Sequence, residues 1–184
     1  MKALEKLPAL LAAQDWPAAE RVLKRAAQAR PGEAAILYNL GRVLMEQGQW
    51  APARHWLKQA IAAQPKHQAA WFELGRTSLE LSEVGAARVA FSKALELDPS
   101  DQDAARNLGR VALRLGDFAA ARAAYAKLDP NEIETACALY RIAAETGDPE
   151  ASALRAGLLA RRSDRAQVLK ALTRTAKGAL PLNL

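Results

Sequence analysis

Cysteine is nearly absent from this 184-residue chain: Cys137 is the only one, which excludes an intramolecular disulfide and fits a reducing compartment. Aromatic residues make up only 5%, so packing has to come from close helix approach more than from large side chains. No apolar run approaches the roughly 20 residues needed to cross a bilayer. The N-terminal stretch, broken by Glu5, Lys6 and Pro8, lacks the apolar core of a signal peptide. These absences predict a soluble, cytoplasmic chain with no membrane span. Catalytic chemistry is equally poorly supplied. The two histidines, His55 and His67, have no carboxylate or second histidine at ligand spacing, Cys137 has no nearby histidine, and no glycine-rich loop could cradle a phosphate. The expectation is a protein that is not an enzyme and holds no cofactor or metal.

What is abundant is alanine and leucine, within an apolar content of 51%. Both favour helix, and strand-favouring residues are sparse, so an all-α fold is expected. The length suits one domain rather than two. The net charge of +6 is unevenly spread: residues 1–150 hold 19 basic and 19 acidic side chains, whereas residues 151–184 hold seven basic ones against the single Asp164. A neutral body argues against nucleic acid as the main partner, because a basic stripe along it would be the footprint.

The strongest signal is a period of 34 residues. Leu40-Gly41, Leu74-Gly75 and Leu108-Gly109 keep this interval, as do Pro31, Pro65 and Pro99. Ala19, Ala53, Ala87 and Ala121 return in phase, with Ala26, Ala60 and Ala94, and with Trp16 and Trp50. A unit of this length with a proline at each junction reads as a stack of helix-turn-helix repeats. Periodicity and breakers predict helices over about 2–13, 17–29, 34–47, 51–63, 68–81, 84–97, 102–115, 118–128, 132–146, 149–161 and 164–177. Asp15 and Asp117 stand at capping positions, and Gly48, Gly116 and Gly147 at turns. The rhythm slips at Pro130, which comes 31 residues after Pro99.

These residues resemble the tetratricopeptide repeat family, whose pattern combines a large apolar residue, Leu-Gly, a small Ala, an aromatic or Leu, a second Ala and Pro. The third repeat matches it with Trp71, Leu74, Gly75, Ala87, Phe91, Ala94 and Pro99, and the second with Leu37, Leu40, Gly41, Ala53, Leu57, Ala60 and Pro65. The fourth carries Ala105, Leu108, Gly109, Ala121 and Tyr125, but Leu128 in place of the second Ala. Ser82 stands where neighbouring repeats have a turn glycine.

The resemblance implies a right-handed superhelical solenoid of antiparallel helix pairs, with about five repeats and a C-terminal capping helix. The array would span residues 1–162, strong over 14–128 and degenerate over 131–162, followed by a basic capping helix and apolar tail over 163–184. The last helix would bury Ala166, Leu169, Leu172 and Ala176 as one face.

In that family the first helix of each pair lines a concave groove, which implies a protein-protein interaction scaffold holding a peptide or partner protein. Laid in register, the groove-facing set is Tyr38, Asn39, Arg42 and Met45 in the second repeat, and Phe72, Glu73, Arg76 and Leu79 in the third. The fourth supplies Arg106, Asn107, Arg110 and Arg114, and the degenerate repeat Arg141. Arg42, Arg76 and Arg110 each follow the repeated glycine, so they should form a ladder of guanidinium forks for carboxylates or peptide carbonyls. An acidic partner would suit it; so would simple pairing with nearby glutamates in solvent. Leu4 and Pro8 occupy places where the family's chaperone-binding clamp has Lys and Asn, so chaperone binding is not expected.

Arg165, Lys170, Arg174 and Lys177 of the last helix form a second, basic surface, readable as solvated flanks of a cap or as a contact for an acidic partner or nucleic acid. The array ends are candidate surfaces for self-association. A rival reading follows from the same resemblance: such arrays often precede an enzyme of sulfotransferase, glycosyltransferase or hydroxylase type, for which this chain would be a recruiting or dimerising module.

Overall fold

Four helices start on a side-chain cap. Asp15, Asp101 and Asp117 accept hydrogen bonds from the backbone N–H groups of Ala18, Ala104 and Ala120, at 3.0, 2.9 and 3.1 Å. These caps satisfy donors that a helix N-terminus leaves without intrahelical partners. His67 does the same through its ring, Nδ1 accepting from Ala70 N–H at 3.2 Å, so this histidine is a helix cap rather than a plain surface residue. The computed structural model describes residues 4–161 and 163–174, of Arg174 the backbone only, and among them every regular element is helical.

A short 3-10 turn, Leu4–Lys6, leads into α1 (Leu7–Ala12), α2 (Trp16–Ala29), α3 (Ala34–Glu46), α4 (Trp50–Ala63), α5 (Gln68–Glu80) and α6 (Val84–Leu97). Then come α7 (Gln102–Leu115), α8 (Phe118–Tyr125), α9 (Ile133–Thr146), α10 (Ala151–Leu159) and α11 (Arg165–Arg174). Two spans differ from the expectation by more than two residues at an end within the described residues. The first helix begins as a 3-10 turn because Pro8 stands in the first turn of α1 and has no N–H to extend a helix across it. α8 ends at Tyr125 instead of 128: Lys127 and Leu128 donate to carbonyls three residues back, a tightened last turn before Pro130.

The chain divides at Pro99 and Ser100 into two compact units; the junction expected at 162/163 falls inside the second. In the first unit each helix packs on the next, α1 on α2 through α5 on α6. In the second, α7 packs on α8, α8 on α9, and α9 on both α10 and α11. The fold is all-α, a helical-repeat solenoid of antiparallel helix pairs.

The period is visible in the backbone as well as in the residue types. Gln14, Gly48, Ser82 and Gly116 all have positive φ, at 54, 69, 61 and 73°. Their spacing is again 34. The turn inside each pair is therefore left-handed whether or not glycine occupies it. Between the paired helices, the repeated glycine is the seat of one side chain from the other helix. A Cβ on Gly41, Gly75 or Gly109 would meet Leu57, Phe91 or Tyr125 at 2.8, 2.6 and 2.5 Å. Leu57, Phe91 and Tyr125 are buried, each side chain contributing about 1.5–3 kcal/mol. The tryptophans Trp16, Trp50, Trp56 and Trp71 sit partly buried at the edge of the first unit's core rather than inside it.

α11 covers the end of α9 and α10 by burying Val168 and Leu172 against Ala136, Tyr140 and Leu158. This corrects the expected face: Leu169 is 47% exposed and Ala166 is exposed, and Ala176 lies outside the described residues. The helix is turned by about one residue, because Val168 and Leu172 lie one turn apart and fill the contact that Leu169 would have made.

Candidate functional site

In the first unit, Arg42 on α3 and Arg76 on α5 converge on one acid. Arg76 Nη1 donates to Glu73 Oε2 at 2.9 Å, and Arg42 Nε stands 3.8 Å from Glu73 Oε1. Glu73 is only 7% exposed, so the acid between the two arginines is largely shielded from water. Tyr38 lies against His67 with ring centroids 4.7 Å apart and planes tilted by 37°, and burial pushes its hydroxyl pKa up. Phe72 meets Phe91 edge-on at 5.7 Å, with Leu79 half-buried. Met45 belongs to the core at 7% exposure and offers a partner almost nothing.

Asn39 and, in the second unit, Asn107 share one geometry: each amide donates at 2.8 Å to the carbonyl four residues back, Ala35 O and Asp103 O. Their Nδ2 groups thus bond their own helices.

In the second unit Arg110 holds Glu134 with a two-point fork, Nε to Oε1 at 2.6 Å and Nη2 to Oε2 at 2.5 Å. That pairing raises the Arg110 pKa further. Arg106 bonds Glu132 at 2.5 Å and lies 3.9 Å from Glu134. Beside them opens a cleft of about 820 Å³. α7 supplies Leu113 and Arg114 to it, α8 supplies Tyr125, and α9 supplies Cys137, Ala138 and Arg141. α11 closes one side with Gln167, Lys170 and Ala171. Burial lifts the Cys137 thiol pKa, and burial together with the Glu134 charge pushes the Tyr125 pKa to about 12.

The structure thus brings Arg110, Arg114 and Arg141 to one cleft and adds Lys170, which the sequence placed on a separate surface. Arg165 is exposed and does not line it; the Arg174 side chain and Lys177 lie outside the described residues. Among the described residues no group of three His, Cys, Asp or Glu stands close enough to hold a metal ion, and no helix is long and apolar enough to cross a membrane.

Models of the tetratricopeptide repeat match residues 10–75 and 72–133, together more than half of the sequence. The chain belongs to the tetratricopeptide repeat family. No curated protein matches it significantly. Among solved structures, it is similar to YrrB, described as a tetratricopeptide repeat protein with an unusual peptide-binding site, with a TM-score of 0.80 and 18% identity over 94% of this chain and 91% of that one. It is similar to MamA, with a TM-score of 0.70 and 24% identity over 92% and 95%. A third likeness is to the first such domain of Spaghetti (RPAP3), solved with the HSP90 peptide SRMEEVD, with a TM-score of 0.60 and 20% identity over 62% and 94%. At these identities the neighbours establish the fold. Tetratricopeptide repeats in this arrangement support a protein-interaction scaffold.

Proposed function

We propose that this tetratricopeptide repeat protein is an adaptor whose first helices, α3 and α5 in one unit and α7 and α9 in the other, each offer a surface to polypeptide segments of a partner. The observation that carries the reading is a repeated exposure. Arg42, Arg76 and Arg110 follow the three glycines seated against the outer helices, and their side chains are 49, 51 and 54% exposed. The glycine is held against the paired helix, and the next residue, about 100° further round, is left in solvent in each repeat. A guanidinium there offers several donors in a fixed fork, suited to carboxylates and peptide carbonyls. Tyr38 and Phe72 add partly exposed aromatic surface to the first unit. Glu134 pairs with Arg110 in the free protein, and an exposed pair of this kind holds with only about 0–1 kcal/mol, so a partner can exchange for it. Neighbours that bind peptides lend weight to a peptide or protein partner.

The test is affinity capture with the full chain beside Arg42→Glu/Arg76→Glu/Arg110→Glu, with circular dichroism establishing that the variant is helical. Loss of the captured partners is expected. An unchanged set with a folded variant would remove the arginines from the binding surface.

A further inference from the structure

Every cation on the inner helices does not stand in the same electrostatic state. Arg42 and Arg76 are committed to the shielded Glu73, and Arg110 to Glu134. Arg114, Arg141 and Lys170 form no ion pair among the described residues, although all three line the 820 Å³ cleft of the second unit. Arg141 Nε is buried and has no hydrogen-bond partner among the described residues. Among the described residues, the only acid lining the cleft is Glu134, against the charges of Arg110, Arg114, Arg141 and Lys170. Between the charges the floor is apolar, with Leu113 and Ala138 buried.

We propose that this cleft, with the terminal helix α11 as one wall, is a binding site for an acidic peptide segment: Arg114, Arg141 and Lys170 take its carboxylates, and the floor at Leu113 and Ala138 takes an adjoining apolar side chain. The inference rests on the scaffold reading and locates the main contact in the second unit. The structure already shows which group this rim accepts, since Glu134 occupies the Arg110 fork as a partner's carboxylate would. Glu134 is therefore an internal competitor. α11 is part of the site as well as a cap: the turn that buries Val168 and Leu172 is what carries Gln167, Lys170 and Ala171 to the opening.

Cys137, the single cysteine, lines the same cleft and reports on its occupancy. The probe is a fluorescein-labelled hexapeptide of alternating glutamate and leucine, with its glutamine-leucine counterpart and free glutarate as controls. Binding to the full chain is followed by fluorescence anisotropy, and occupancy by the rate at which a thiol reagent modifies Cys137. The acidic peptide is expected to bind and to slow that reaction. Lys170→Gln and Arg114→Gln, both at exposed positions, should each weaken binding about tenfold, as should Arg141→Gln if circular dichroism shows it folded. Glu134→Gln should tighten binding severalfold, and Glu150→Gln, which changes the net charge equally away from the cleft, should not.

Binding that survives Lys170→Gln and Arg114→Gln and leaves Cys137 equally reactive overturns the proposal. So does equal binding of the glutamine-leucine peptide, and protection by glutarate alone would make the site one for a small dicarboxylate. Arg42→Glu/Arg76→Glu separates this inference from the broader one. If that pair abolishes peptide binding and the cleft variants do not, the cleft fails and the inner-helix surface stands; the reverse result leaves the cleft as the site and removes the first unit from it.

Discussion

The ring of Tyr125 rests on Gly109 with no space for a methyl group: a Cβ there would lie 2.5 Å from Tyr125 Cε2. Gly75 is as tightly covered by Phe91, at 2.6 Å, and Gly41 by the branched end of Leu57, at 2.8 Å. An aromatic ring buried among helices cannot step aside, whereas a leucine can change rotamer. Gly109→Ala and Gly75→Ala are therefore expected to lose about 1–3 kcal/mol by overpacking, more than the roughly 0.5–1 kcal/mol that alanine returns as a better helix former. Gly41→Ala should cost less. Urea unfolding of the three variants gives the order, and equal losses at all three would contradict this account.

Ser82 holds φ at +61° in the turn between α5 and α6, at the place where Gly48 and Gly116 serve the neighbouring repeats. A residue with a Cβ is strained by roughly 1–2 kcal/mol in that region. Glycine removes the strain and gives back part of it as unfolded-state entropy. Ser82→Gly should stabilise the protein by up to about 1 kcal/mol, and Gly116→Ala should destabilise it by a similar amount. Thermal melts of the pair provide the check, which fails if both changes have the same sign.

Thr135 and Thr77 are both buried on inner helices, but their hydroxyls differ. Thr77 Oγ1 donates to Glu73 O at 2.8 Å, while Thr135 Oγ1 has no partner among the described residues. Valine keeps the shape and removes the polar atom. Thr135→Val is expected to gain about 1 kcal/mol, since it deletes an unsatisfied group, and Thr77→Val to lose about 1 kcal/mol with its hydrogen bond. Denaturant midpoints measured side by side should move in opposite directions.

Tyr125 carries a pH signature. Its pKa is pushed to about 12, first by burial and then by the Glu134 charge, against an ordinary value of 10. The folded state thus holds the phenolic proton more tightly than the unfolded state. That contribution is complete below about pH 10 and is lost as pH rises from 10 towards 12. Tyr125→Phe should leave behaviour at neutral pH little changed and reduce the loss of stability over that alkaline window. Denaturant unfolding at pH 7, 10 and 11 reads the difference, and identical slopes in the two proteins would rule it out.

Much of this molecule could be read from residue order. The 34-residue interval of Leu40-Gly41, Leu74-Gly75 and Leu108-Gly109 determined the helix pairs, and most helix ends fell within two residues of their capping Asp or turn Gly. Arg42, Arg76 and Arg110 were legible as a recurring position for the same reason: helical phase is a local property, and a residue's angle relative to a packed glycine follows from counting. Three things required the assembled chain. Glu73 looks like any acid on a helix surface, and only the approach of α3 to α5 shields it between two arginines. Ser82 looks like a break in the pattern, yet the packing of α5 against α6 forces it into the glycine conformation. The rotation of α11 could not be chosen from its sequence, because both the Val168–Leu172 and the Leu169–Leu172 stripes are apolar. The surface left by α9 and α10 selected the first, and by that choice Lys170 came to face Arg114 and Arg141 across one cleft.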